Sequence, residues 1–255
     1  MYYNDGFGID TVLKKNPYPC LICGKWKHDH FLEDRIHYAM ANKETMFIAW
    51  IGKSRKGKSW SEIIHGCYIF DSDHFNCDNI IFPTSSDLKE LREWYLTHTH
   101  SLCVLEEISS SDVTEWWTVA SKMLRYIIDT QGFRCNVLFL NSPRLSAFPK
   151  SVKDSISYRV ICNRKGTFVT NRIDARLIIH DWKSDNEKVR YKTVSNVIPI
   201  KIPDDTRVKL MLSEYESMKQ RWADKSLLDG FNLLSGKKEN KDDQVHFLKP
   251  FQPIL

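Results

Sequence analysis

The chain has 255 residues and a formal net charge of +5, which permits nucleic-acid binding without arguing for it. Hydrophobic residues make up 42% and charged residues 27%, so a wholly disordered chain is excluded. No apolar run approaches the roughly 18 residues of a membrane-spanning helix, and the N-terminus lacks a signal-peptide pattern. We therefore expect a cytoplasmic protein without a membrane span, whose seven cysteines are reduced thiols or metal ligands.

The first 44 residues mix Gly, Pro, Tyr, Cys and His with little periodicity, which predicts an irregular N-terminal segment. A C-x₂-C pair followed by histidines suits a structural Zn²⁺ site. However, a single residue separates the two histidines, where about three to five are usual. A zinc site and reduced, unliganded cysteines both stay open as interpretations. The candidate zinc ligands are Cys20, Cys23, His28 and His30, with His37 as a substitute for one histidine.

From Thr45 onward, short apolar runs alternate with helical patterns. We predict a short helix over 60–65 that ends at Gly66, a second helix from about residue 87, and a long amphipathic helix over 113–130. This alternation predicts a mainly parallel sheet with helices on both faces. The predicted strands are 46–51, 80–82, 102–105, 137–140 and 158–162.

The C-terminal part has a different pattern. Two β-prone runs flank a turn-like Lys-Ser-Asp-Asn, which predicts an antiparallel hairpin over about 176–194. A final helix with apolar residues on one face begins near Asp204, and 236–244 is polar. We expect three regions: an N-terminal Cys/His segment (1–44), a core (45–175), and a C-terminal hairpin, helix and tail (176–255).

Residues 52–59 fit the phosphate-binding pattern G-x-x-x-x-G-K-[ST] and lie directly between a predicted strand and a helix. In such a loop the backbone amides cradle phosphates, Lys58 reaches the β- and γ-phosphates, and Ser59 holds Mg²⁺. Three additional cations within the loop are either solvated or in contact with nucleotide, and both interpretations stay open. The predicted nucleotide-binding residues are Gly52, Lys53, Ser54, Arg55, Lys56, Gly57, Lys58, Ser59 and Trp60.

Two carboxylates follow the apolar strand over 102–105. In a parallel sheet this strand end lies beside the phosphate loop. We expect Glu106 to fix Mg²⁺ and Glu107 to polarise the attacking water as a general base. Another strand and helix separate the loop from this acidic strand, and no guanine-reading motif is found. The order favours ATPases with an additional strand between these two strands, as in RecA-like and AAA+ enzymes.

A third element is the strand over 137–140 followed by Asn-Ser-Pro-Arg-Leu. Asn141 at its tip is placed to contact the γ-phosphate or the attacking water. Over residues 45–165 the order of loop, Leu-Glu-Glu strand, long helix and polar strand end resembles the HerA/FtsK-type DNA-pumping ATPases, whose small viral members package genomes into capsids. The chain departs from that family in having Asn141 where the family has Gln, and in having Pro143 before Arg144.

The resemblance implies a RecA-like P-loop NTPase core that binds ATP and Mg²⁺ and moves double-stranded DNA as a homo-oligomeric ring. It also implies an arginine from the neighbouring subunit at each site, for which Arg134 and Arg144 are candidates. We expect such a motor to belong to a virus or a plasmid. A viral member would act in the host cytoplasm or with the virion and meet a capsid or portal protein. The alternative function is an ATP-dependent switch or assembly factor that acts on protein partners.

Overall fold

A computed structural model describes residues 31–82, 87–106, 134–148, 150–165, 168–181, 186–197 and 204–234. The chain forms two compact units, residues 1–212 and 213–255. The described strands all belong to the first unit, and the described part of the second is the continuation of the last helix. Among the described helices, none is long and apolar enough to cross a bilayer.

Helices and strands alternate along the first unit, as the sequence predicts. Short 3₁₀ turns at Cys77–Asn79 and Leu145–Ala147 connect some of them. In chain order the elements are α1 (Phe31–Ala41), β1 (Met46–Ile51), α2 (Lys58–Ile69), β2 (Ile80–Ile81), α3 (Asp87–Thr97), β3 (Leu102–Leu105), β4 (Val137–Ser142), α4 (Lys150–Ser155), β5 (Ile156–Lys165), β6 (Phe168–Asp181), β7 (Asn186–Val197) and α5 (Thr206–Leu234).

The described strands form one sheet of seven in the order β2-β3-β4-β1-β5-β6-β7. The first five strands in this order are parallel to one another. β6 is antiparallel to both β5 and β7. β4 therefore lies between the loop strand β1 and the acidic strand β3. This confirms the predicted fold class, a mainly parallel P-loop sheet of the additional-strand type flanked by helices, and it places the predicted hairpin in that same sheet.

The central strands are buried on both faces, which is why they are continuous apolar runs. Alternate side chains of β1 and β4, such as Phe47 and Leu138, pack in a cluster with Leu91 and Trp94 of α3. Side chains of the opposite parity face α2: the Trp50 ring lies 5.2 Å from that of His65. Helices thus cover both faces of the sheet, as predicted.

Two predictions about the helices are wrong. α2 does not end at Gly66 but continues to Ile69, with Gly66 buried inside it. A β-carbon at Gly66 would lie 2.4 Å from Phe75 and 2.8 Å from Leu102, so the glycine serves close packing rather than helix termination. The N-terminal segment is not irregular throughout, because 31–41 form α1 and bury Leu32, Ile36 and Ala39 on one face.

The last helix begins where the sequence predicts and its start is tied to α2. The Arg207 guanidinium donates hydrogen bonds to the backbone oxygens of Cys67 (2.9 Å), Phe70 (2.7 Å) and Phe75 (2.8 Å). It therefore satisfies carbonyl groups at the C-terminal end of α2, where a positive charge also complements the helix dipole.

A buried aspartate joins the three antiparallel strands. Asp174 of β6 accepts hydrogen bonds from Arg159 of β5 (2.8 Å) and Thr193 of β7 (2.9 Å), and it pairs with Arg172 (3.1 Å). Burial raises the pKa of Asp174, but the bonds from Thr193 and Arg159 outweigh this and hold the pKa below its usual value. β6 is thus fixed to the strands on either side of it.

Several predictions lie outside the described residues. These are the helix over 113–130, the polar stretch over 236–244, the turn over 183–185, the general base Glu107, and the four candidate zinc ligands. The proposed division at residues 44 and 175 stays a prediction.

Replacing Gly66 by Ala tests the packing of α2. Because the new methyl group would meet Phe75 and Leu102, we expect the free energy of unfolding to fall by about 1–3 kcal/mol in denaturant titrations. Helix propensity alone predicts the opposite sign, a gain of about 1 kcal/mol. The Gly66→Ala/Phe75→Ala double variant should lose less than the sum of its single variants, since the smaller side chain relieves the clash.

Candidate nucleotide site

The predicted phosphate loop runs from the end of β1 to the start of α2, and its two glycines meet different strands. A β-carbon at Gly52 would lie 2.7 Å from the backbone oxygen of Cys162 on β5. Gly57 has φ of 79°, in the left-handed region, and its β-carbon would lie 2.8 Å from Val169 on β6. Both glycines of the motif are therefore required by the surrounding structure.

Lys58 folds back over the loop. Its ammonium group donates hydrogen bonds to the backbone oxygens of Gly52 (2.8 Å) and Lys53 (3.3 Å), and the residue is only 9% exposed. Among the other predicted binding residues, Lys53, Ser54, Arg55 and Trp60 are exposed. The loop thus presents one buried cation and several exposed side chains at the N-terminal end of α2, where the helix dipole favours anions.

Three predicted site residues meet beside this loop. Asn141 Nδ2 lies 3.3 Å from Ser59 Oγ and 3.2 Å from Glu106 Oε2. The meeting follows from strand geometry: β3 and β4 are parallel, so their carboxyl ends share one edge of the sheet with the loop. Side-chain alternation then directs Glu106 and Asn141 to the face that α2 covers.

Glu62 also belongs to this cluster, although the sequence analysis did not identify it. Its Oε2 accepts a hydrogen bond from Asn141 Nδ2 at 2.8 Å, and the residue is fully buried. Burial raises the pKa of Glu62 well above its usual value, and the nearby Glu106 carboxyl raises it further. The available signal was its spacing, because a residue three positions after Ser59 lies on the same helical face.

β6 supports the loop from the side, which the sequence analysis also missed. Besides the contact of Val169 with Gly57, Asn171 Oδ1 accepts a hydrogen bond from Ser61 Oγ at 3.4 Å. His65, one turn further along α2, bonds the backbone oxygen of Ser61 at 2.8 Å. The first half of α2 is therefore anchored to the antiparallel extension of the sheet.

The two candidate arginines lie at opposite edges of the sheet. Arg144 is exposed and follows the carboxyl end of β4, which is the edge of the phosphate loop. Arg134 precedes β4, and its backbone oxygen accepts a hydrogen bond from the amide of His100 at 2.9 Å. Within one chain, Arg144 is the candidate that shares an edge with the loop.

The described residues contain no group of three or more His, Cys, Asp or Glu side chains that could hold a metal ion. Ser59 and Glu106 nevertheless fit Mg²⁺, which typically binds one or two carboxylates together with the phosphate oxygens of a nucleotide. The cysteines of the described part form no disulfide, and burial raises the pKa of Cys67 to about 11.

Comparisons with known proteins gave structural neighbours only. No family model and no curated protein matches the sequence. The solved structures to which the chain is similar include the N-terminal domain of zonular occludens toxin from Neisseria meningitidis, with 9% identity, a TM-score of 0.32, and coverage of 60% of this chain and 95% of that one. They also include B204, the DNA-packaging ATPase from Sulfolobus Turreted Icosahedral Virus, with 13% identity, a TM-score of 0.30, and coverage of 60% of this chain and 98% of that one. EssC (ATPases 2 and 3) from Geobacillus thermodenitrificans has 11% identity, a TM-score of 0.36, and coverage of 71% of this chain and 44% of that one. At these values the likeness carries no argument about activity, and the P-loop fold rests on the strand order and loop described above.

Proposed function

We propose that the chain is a Mg²⁺-dependent ATPase that uses hydrolysis to move DNA. The observation that supports the ATPase part is the meeting of Ser59, Glu106 and Asn141 beside a phosphate loop with a buried lysine. The DNA part rests on the order of motifs along the sequence, which resembles that of DNA-pumping ATPases.

The loop and Lys58 would bind the phosphates of ATP. The Lys58 ammonium already lies against the loop backbone. It would exchange these backbone oxygens for a β- or γ-phosphate oxygen when nucleotide binds. Ser59 and Glu106 would hold Mg²⁺, which when bound neutralises charge on the phosphates. The exposed Lys53 and Arg55 add positive potential at the entrance.

Glu107 would accept a proton from the attacking water. It directly follows Glu106, whose backbone amide is fixed by the oxygen of Ile81 at 2.9 Å. Asn141 would sense the γ-phosphate, since its side chain bridges the serine of the loop and the acidic strand. Loss of the γ-phosphate on hydrolysis would thereby alter the contacts of the side chain at the tip of β4.

A ring of identical subunits would complete each site with an arginine of the adjacent subunit. We infer that Arg144 serves in this way, because it is exposed and lies at the nucleotide edge. An arginine in trans makes turnover depend on assembly, which suits a motor that works only around its substrate.

A second candidate function is an ATP-dependent switch that acts on proteins. It is favoured by the end of the β6–β7 hairpin, where Leu177, Ile178 and Val189 are 42%, 48% and 43% exposed. Ile178 and Val189 are direct partners on adjacent strands, and contiguous exposed apolar side chains of this kind are typical of a protein contact. In a viral motor, a capsid or portal protein would be such a partner.

Lys58→Ala should weaken nucleotide binding and lower ATP turnover by about 100-fold or more, because the buried cation of the loop is lost. Glu107→Gln should still bind nucleotide but lose turnover by about 10²–10⁴-fold, as expected for a general base. Phosphate release and binding of a fluorescent ATP analogue measure the two effects. Lys209→Ala and Glu214→Gln, both at exposed positions, are matched controls. Wild-type turnover in either test variant contradicts the assigned role.

Double-stranded DNA should raise ATP turnover several-fold at low salt. Because contacts with phosphate release counterions, the stimulation should fall steeply as salt increases. Turnover is compared with and without DNA over a salt series, together with DNA binding. Equal turnover and no binding at every salt concentration would exclude the motor and leave the switch.

Mixed rings test the arginine. Arg144→Ala subunits keep their loop but lack the arginine, whereas Lys58→Ala subunits keep the arginine but lack the loop lysine. Each should be inactive alone, and mixing should restore part of the turnover, because some Arg144→Ala sites then face an intact Arg144. A parallel series with Arg134→Ala compares the two candidates. If mixing restores nothing for Arg144→Ala, its role in trans is wrong.

A further inference from the structure

Glu62 occupies a position at the nucleotide site that the proposed reaction does not require. It lies on α2 three residues after Ser59, and its side chain reaches the same amide nitrogen of Asn141 as Glu106 does. Both carboxyl groups are buried, with 0% and 1% of the residues exposed. Two acidic side chains from different elements therefore meet inside the protein, beside the serine of the phosphate loop.

The cluster has more acceptors than donors. An amide nitrogen carries two N–H groups, yet three oxygens lie within hydrogen-bond distance of Asn141 Nδ2: those of Ser59, Glu62 and Glu106. Oε1 of Glu62 is buried and has no hydrogen-bond partner within the described part of the chain. Burying one charged carboxyl beside another in this way is unfavourable unless one of them takes up a proton or a positive group is added.

A glutamine or an apolar residue at this position would avoid that cost. Lys58 is close enough to attract the Glu62 carboxylate, but its ammonium donates to the backbone oxygens of Gly52 and Lys53 instead. The acidic cluster faces the serine that would hold the cation of a bound nucleotide. A divalent cation is the ligand whose charge and oxygen preference match these side chains.

We propose that Glu62 is a further residue of the divalent-cation site and that, with Glu106 and Ser59, it sets how strongly a bound nucleotide retains Mg²⁺ or Mn²⁺. This inference rests on the proposed nucleotide binding. Within the described residues no third acidic or histidine side chain joins the pair. Phosphate oxygens of the nucleotide would complete the coordination of the cation. Cation and nucleotide are then expected to bind together rather than separately.

Binding of a fluorescent, non-hydrolysable ATP analogue across a Mg²⁺ series tests the proposal without turnover. For Glu62→Gln, we expect the Mg²⁺ concentration at half-maximal binding to rise about tenfold or more. Binding in EDTA should stay the same or improve, because one buried negative charge is removed. Glu33→Gln is the matched control: it removes a buried carboxyl on α1, outside this cluster, and should keep the wild-type Mg²⁺ dependence.

Folding is checked by thermal unfolding without Mg²⁺ and nucleotide. Glu62→Gln should melt close to the wild-type temperature, since the amide has nearly the same shape as the carboxyl group that it replaces. Glu62→Asp keeps the charge and should shift the Mg²⁺ requirement less than Glu62→Gln. We expect the Mn²⁺ affinity of the complex with the analogue, measured by electron paramagnetic resonance, to decrease more in Glu62→Gln than in Glu62→Asp.

A wild-type Mg²⁺ dependence in a folded Glu62→Gln protein would overturn the proposal and leave nucleotide binding intact. Equal shifts in the Gln and Asp variants would also overturn it, because they indicate packing rather than charge. If the wild-type chain binds no analogue at any Mg²⁺ concentration, the proposed ATPase function fails, and this inference fails with it.

Discussion

The close approach of the phosphate loop to β5 and β6 is the constraint on which the rest of the structure depends. Gly52 passes the backbone of Cys162 and Gly57 packs against Val169, and neither position has room for a β-carbon. This packing sets where α2 begins and so fixes Lys58 and Ser59 relative to the sheet. Without it, the ends of β3 and β4 would still bring Glu106 and Asn141 to one edge of the sheet, but Lys58 and Ser59 would not lie beside them.

Asn141 connects this loop to the acidic strand. Its strand, β4, is the additional strand between β1 and β3. The tip of β4 is therefore next to both the phosphate loop, which follows β1, and Glu106, which follows β3. One amide nitrogen then reaches Ser59, Glu62 and Glu106. An additional-strand sheet thus provides a polar position between loop and carboxylate, which a sheet with β1 and β3 adjacent would lack.

Contiguous motifs and the shared edge of parallel strands could be predicted from the sequence, whereas individual side-chain contacts between other distant segments could not. The phosphate loop is contiguous, and the central strands are apolar runs because both faces are buried. Glu62 was not identified from the sequence, since only the fold places Asn141 beside it. Gly66 has the signal of a helix end, but the ring of Phe75 occupies the space beside it. Val169 and Asn171 carry no local signal, because their partners lie more than 100 residues earlier in the chain.

β6 links the two functional possibilities physically. At one end it contacts the loop and α2 through Val169 and Asn171, and its other end carries the exposed Leu177 and Ile178 of the hairpin. Asp174 lies between these ends and is bonded to both adjacent strands, so the strand is held as part of the sheet rather than as a separate flap. In a motor and in a switch alike, a change in the bound nucleotide must alter a surface that contacts the partner. A rigid strand transmits a displacement, whereas a flexible strand absorbs it. A partner bound at the hairpin would therefore contact the same strand that packs against the phosphate loop.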